Sequence, residues 1–115
     1  MGLVTVDPLK KAALDRKAAL REVDAWFSTE IAHGYTTDGG WTLGLTAADV
    51  TLLTGQFVLA KEAAAAELPL PPVIDTDGVA HQLSISELTA LMLAYGAHRA
   101  AISTEYAARK AAIEE

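Results

Sequence analysis

The sequence predicts a mainly α fold with two short β-hairpins, in the order helix, hairpin, helix, hairpin, helix, with long N- and C-terminal helices. Three observations predict it. Gly and Pro gather at two breaks and leave three long stretches rich in Ala, Leu, Lys, Arg and Glu, all good helix formers. Alanine alone supplies 23 of the 115 residues, which favours helix over strand. Each break also carries an Asp-Gly pair among Thr, Tyr, Trp, Val and Ile, the chemistry of a tight hairpin turn.

The first helix opens at Asp7-Pro8, where Asp caps free N–H groups and Pro fits the first helical position. No Gly or Pro follows until Gly34, a natural C-terminal stop, so the helix spans 8–33, about 39 Å. Residues 34–45, GYTTDGGWTLGL, form the first hairpin, with Gly39 expected at positive φ. Thr46 and Asp49 make a capping box for a second helix over 47–67, which stops ahead of Pro69. Pro69-Leu70-Pro71-Pro72 is a stiff connector. Val73–Leu83 gives the second hairpin, turning at Asp77-Gly78 with Gly78 at positive φ. Ser84 and Glu87 cap a third helix over 85–114, in which Gly96 marks an expected close backbone approach. The two hairpins are expected to pair into one small antiparallel sheet, because an isolated hairpin is marginal in water. The division that follows is an N-terminal helix, 1–33, acting as a coiled-coil or docking extension, and a small α+β domain, 34–115.

The helix faces carry the next level of information. On the third helix Leu88, Met92, Tyr95, Arg99, Ile102, Tyr106, Arg109 and Ile113 recur at alternating steps of four and three. The first helix has a matching stripe, Leu9, Ala13, Arg16, Leu20, Val23, Phe27 and Glu30. Two readings fit: the core face of a monomeric bundle, or an intermolecular coiled coil. Ten residues form the candidate interface: Leu20, Val23, Phe27, Leu88, Met92, Tyr95, Arg99, Ile102, Tyr106 and Ile113. The second helix has an ordinary amphipathic face of Val50, Leu53, Phe57, Ala60 and Ala64.

Charge is uneven. The net charge is −6, with residues 1–33 balanced at five basic and five acidic, and residues 34–115 holding four basic against ten acidic. That balance disfavours nucleic acid, since little basic surface exists to release counterions. Lys10, Lys17 and Arg21 share one helical face, either simply solvated or docked on an acidic partner. The 51% hydrophobic content excludes a disordered chain, and no apolar run approaches the ~20 residues of a membrane span. No signal-peptide pattern opens the chain. With no cysteine there is no disulfide framework, thiolate metal site or thiol nucleophile.

Site chemistry is thin. His33, His81 and His98 fall in three different elements without zinc-ligand spacing. Asp75-Thr76-Asp77-Gly78 imitates the start of a calcium loop, but its twelfth position is Ser86 rather than Glu, so it reads as a turn. No serine sits in a G-x-S-x-G elbow. The expectation is a non-enzyme with no cofactor and no metal.

"HGYTTDGGWTL" after a charged helix, then an Ala-rich helix, the hairpin "VIDTDGVAHQLSISEL" and the closing "AISTEYAARKAAIEE" together resemble a family of small phage tail-associated domains of unknown function. Such domains sit in tail-fibre, baseplate and fibre-assembly proteins. Val73-Ile74 stands where that family often has an aromatic residue, while Tyr106, Lys110 and Ile113 fit its closing pattern. The resemblance covers 8–115 and implies a virion structural protein, a tail-fibre or baseplate component or adaptor acting by protein–protein assembly. It would be made in the host cytoplasm and carried in the phage tail. The alternative is a fibre-assembly chaperone absent from the mature virion. The expected partners are other tail or baseplate proteins and further copies of the chain, with a homotrimer favoured because tail fibres are generally trimeric, and neither nucleic acid nor membrane.

Overall fold

The computed structural model describes residues 7–114. Its elements are α1 (Pro8–His33), β1 (Tyr35–Thr36), β2 (Thr42–Leu43), α2 (Ala47–Ala65), β3 (Val73–Ile74), β4 (Ala80–His81) and α3 (Ile85–Glu114). The mainly helical fold with two short antiparallel hairpins is therefore the one the breakers and caps dictate.

The caps form as chemistry requires. Leu9 N–H donates to Asp7 Oδ1 at 2.9 Å, and Pro8 follows at the first helical position. Thr46 with Asp49 and Ser84 with Glu87 each close a reciprocal capping box. The acceptor role holds the Glu87 carboxyl below its usual range, chiefly through the Ser84 backbone N–H. Gly34 ends α1 at φ +72, and a Cβ there would lie 2.6 Å from the Leu43 carbonyl oxygen, so the helix-to-strand corner admits no side chain.

Four expectations need correction. The hairpins form two separate two-stranded sheets, with Tyr35 opposite Leu43 and Val73 opposite His81. One hydrogen bond, Thr76 N–H to Thr42 O at 2.9 Å, joins them in place of a shared ladder. In the first turn the positive φ falls on Gly40, at +87, and not on Gly39. The second helix ends two residues early, at Ala65, because Glu67 adopts φ +58 and the chain closes a Schellman motif. There Leu68 N–H bonds to Ala63 O and Glu67 N–H to Ala64 O. Finally, Gly96 has nothing within 4 Å of where its Cβ would stand, so no backbone approaches it.

α3 is the spine. Its middle holds the core, where Tyr95, Leu88 and Ile102 meet Leu43 and Leu45 of the first hairpin and its exit, Leu53 and Ala60 of α2, and Val73 of β3. Fully burying aliphatic side chains of this size contributes about 1.5–3 kcal/mol each. Two α3 side chains tie down the strand-to-helix linker: Tyr95 OH donates to Gly44 O at 2.6 Å and Arg99 Nε to Leu45 O at 2.9 Å. Gln82 Nε2 reaches Leu70 O at 2.9 Å and pins the proline connector.

α1 runs antiparallel along the C-terminal half of α3. The Phe27 and Tyr106 rings lie 4.4 Å apart, Arg109 covers the Trp26 ring at 4.0 Å, and Leu9 and Ala13 share a hollow with Ile113. The result is a rod of 82 × 26 × 21 Å. One end is a packed head of hairpins, α2 and the first part of α3. The other is a two-helix stalk.

Candidate functional site

An open apolar groove of about 440 Å³ lies between α2 and α3. Val50 and Phe57 form one wall, Met92 and Leu93 the other, and Gly96 and Ala100 keep the floor low. Leu93 is 71% exposed, a large apolar side chain at the lip with nothing over it. Arg99 is the charged residue here, and its guanidinium is already engaged: Nη1 donates to Ser103 Oγ at 2.5 Å, Nε to Leu45 O, and the group sits over the Phe27 ring at 5.3 Å. The groove offers apolar contact and no acid–base pair. α2 adds exposed Leu52, Val58 and Leu59 on its other sides.

A second cluster lies where the hairpins meet. Asp75 is buried, and its Oδ1 accepts from Asp77 N–H at 2.8 Å and Val79 N–H at 3.0 Å. Its Oδ2 meets His81 Nε2 at 2.7 Å, placed there by the register that sets His81 opposite Val73. The His81 bond first, then the Val79 N–H, hold the Asp75 carboxyl below its usual range. The imidazole lies flat on Trp41, with ring centroids 3.9 Å apart and planes 9° from parallel. An Asp–His pair can orient an imidazole for proton transfer. Here no hydroxyl bonds to His81 among the described residues, and the stack on Trp41 makes the pair a clasp between the two hairpins.

Beside that clasp is a shallow hollow with Trp41 and Leu91 in its wall and the carboxylates of Asp38 and Glu87 at its edge. Thr37 also borders it, but its Oγ1 is buried beneath the surface and has no hydrogen-bond partner among the described residues.

The ten candidate interface residues are brought together, but within one chain. Val23, Leu88, Tyr95 and Ile102 are buried, and Leu20, Phe27, Met92, Arg99, Tyr106 and Ile113 are partly buried. Tyr106 OH donates to Asp24 Oδ1 at 2.5 Å, which with the burial of Tyr106 pushes its hydroxyl pKa up. Within this one chain the stripes pack into the bundle core. Of the extension expected over 1–33, residues 1–6 lie outside the described residues, and in the remainder Trp26, Phe27 and Ile31 pack on the core. Lys10, Lys17 and Arg21 lie exposed on α1, and none forms an ion pair among the described residues.

Sequence reading missed the α2–α3 groove and the Asp75–His81–Trp41 clasp. The Asp75-Thr76-Asp77-Gly78 turn was legible, but Trp41 over His81 depends on how two distant hairpins dock. Among the described residues no cluster of three His, Asp or Glu side chains could hold a metal ion, and no helix is long and apolar enough to cross a membrane.

The family follows from the chain as a whole. The model of the Domain of unknown function (DUF4376) matches residues 15–115, from within α1 to the end of α3, and the chain belongs to that family. No curated protein and no solved structure matches it.

Proposed function

We propose that the protein is a structural or adaptor subunit of a bacteriophage tail, at the fibre or baseplate, working through protein–protein contacts and carrying out no catalytic step. The observation that carries the assembly part is the open α2–α3 groove with Leu93 at its lip, with further exposed leucines on the other sides of α2. Apolar surface of this kind, on a thin rod, is the mark of a partner-binding face. The tail assignment rests on the resemblance of the hairpin-and-helix motifs to small tail-associated domains. In this reading the protein is made in the host cytoplasm and carried in the virion, with other tail or baseplate proteins as partners.

A homotrimer, expected because tail fibres are generally trimeric, rests on that resemblance, since α1 and α3 turn the heptad stripes toward each other within this chain. Mass spectrometry of purified particles tests the proposal. A stoichiometric 12.1 kDa component is the expected result. Absence from particles, with presence in the infected lysate, would replace it with the fibre-assembly chaperone.

A further inference from the structure

Antiparallel pairing of α1 with α3 sorts the charges in a way the linear sequence hides. The stalk, residues 7–27 with 105–114, holds seven basic side chains (Lys10, Lys11, Arg16, Lys17, Arg21, Arg109, Lys110) and six acidic ones, with Glu105 ion-paired to Arg109 at 2.9 Å. Residues 28–104 hold two basic and eight acidic. A rod 82 Å long therefore has a stalk of net +1, its basic excess gathered on residues 10–21 of α1, and a head of net −6. That separation far exceeds the roughly 10 Å screening length at 0.1 M salt, so the two ends act as independent patches.

Each patch has local structure to match. On the stalk, Lys10, Leu14, Lys17 and Arg21 recur at steps of four, three and four, one face of α1, with Leu14 60% exposed among the cations. On the head, the hollow beside the hairpin clasp has an apolar wall of Trp41 and Leu91 and the carboxylates of Asp38 and Glu87. A cationic, partly apolar helix face is the complement of that hollow: carboxylates take the ammonium or guanidinium group, and the apolar wall covers a leucine. The chain itself carries such a face.

We infer that the stalk of one copy docks on the head of a second copy, and the reverse, so that two rods pair antiparallel. Reciprocal pairing satisfies both ends of both molecules and closes the assembly, whereas parallel alignment places like charges side by side. The seam differs from the α1–α3 stripes, and the inference stands or falls apart from the virion reading, since it concerns the isolated protein.

Sedimentation equilibrium of the full chain in 50 mM and 500 mM NaCl is the test, joined to two charge variants. The wild type is expected to form a dimer of about twice 12.1 kDa at low salt and to weaken at least about tenfold at high salt. The stalk variant Lys10→Glu/Lys17→Glu/Arg21→Glu and the head variant Asp38→Lys/Ala94→Lys keep both capping boxes, and circular dichroism verifies that they fold. Each alone is expected to stay monomeric at low salt, and an equimolar mixture to dimerise. A wild type that stays monomeric at low salt and high micromolar concentration would overturn the inference. So would a stalk variant that dimerises as well as the wild type, or open-ended growth beyond the dimer.

Discussion

The head and the stalk use the same α3 helix and are held by different physics. In the head, α3 lays Leu88, Tyr95 and Ile102 into a core closed by Leu43, Leu45, Leu53 and Val73, and its polar tips bind backbone carbonyls of the linker. In the stalk, α3 meets α1 through single layers: one aromatic pair, an Arg109–Trp26 contact and the Tyr106–Asp24 hydrogen bond. Two helices alone cannot enclose a core, so Ala, Arg and Lys at their seam stay wet. The contrast teaches that global stability resides in the head, while the stalk is a surface whose order is local.

The sharpest way to break that contrast is Tyr95→Ala. Tyr95 is 2% exposed and touches both hairpin and helix, so truncation is expected to cost about 3–5 kcal/mol in urea unfolding, the range for large aromatic deletions. Tyr95→Phe keeps the ring and loses only the bond to Gly44 O, at about 1 kcal/mol. If the two variants unfold alike, packing is not what holds the head.

Gly34 joins the two regions. Gly34→Ala places a Cβ against the Leu43 carbonyl at a φ of +72, and is expected to cost about 1–3 kcal/mol. A melting temperature equal to wild type would mean that α1 enters the hairpin by another path.

Acid should act on the head through Asp75. Its folded pKa lies below the unfolded value of about 3.8, so its contribution is complete above that pH and is lost as pH falls through the depressed folded value. Asp75→Asn is expected to lower the melting temperature at pH 7 and to flatten its fall between about pH 4 and pH 2. Wild type and variant curves that run parallel would remove the His81–Asp75 clasp as the acid-sensitive element.

How much of this was legible follows from which signals are local. The bounds of α1 and α3 were readable to the residue because Asp7-Pro8, Gly34 and the Ser84–Glu87 box are contiguous chemistry. The end of α2 was not, because a glutamate at positive φ leaves no glycine to see. Glu67→Gly should relieve that strain and gain a few tenths to about 1 kcal/mol, the unfolded-state freedom of glycine offsetting part of the benefit. The heptad stripes were real, but a four-three rhythm is the same for an intrachain antiparallel pair as for an interchain coil. Tyr95 to Gly44 and Arg99 to Leu45 bridge more than 50 positions and leave no pattern in sequence. The charge polarity was hidden for a related reason: a cut at residue 33 averages α1 to zero, and only the antiparallel fold puts Arg109 and Lys110 toward the same end of the rod as Lys10 and Lys17.

The smallest expected effect sharpens the comparison most. Leu9 is 81% exposed and Leu14 60%, so removing either side chain from the stalk returns little area to water. Leu9→Ala and Leu14→Ala are each expected to unfold within about 0.5 kcal/mol of wild type, as surface substitutions do, and alanine's better helix propensity pulls the same way. The measurement belongs at low micromolar protein in 500 mM NaCl, where the paired rods come apart. Repeating it at high protein and 50 mM NaCl then isolates the second copy. There Leu14, set among Lys10, Lys17 and Arg21, should register a loss that Leu9, on the α3 side of the helix, does not. Equal losses for both leucines under the separating condition would mean that the stalk has a core of its own, and the division between head and stalk would fail.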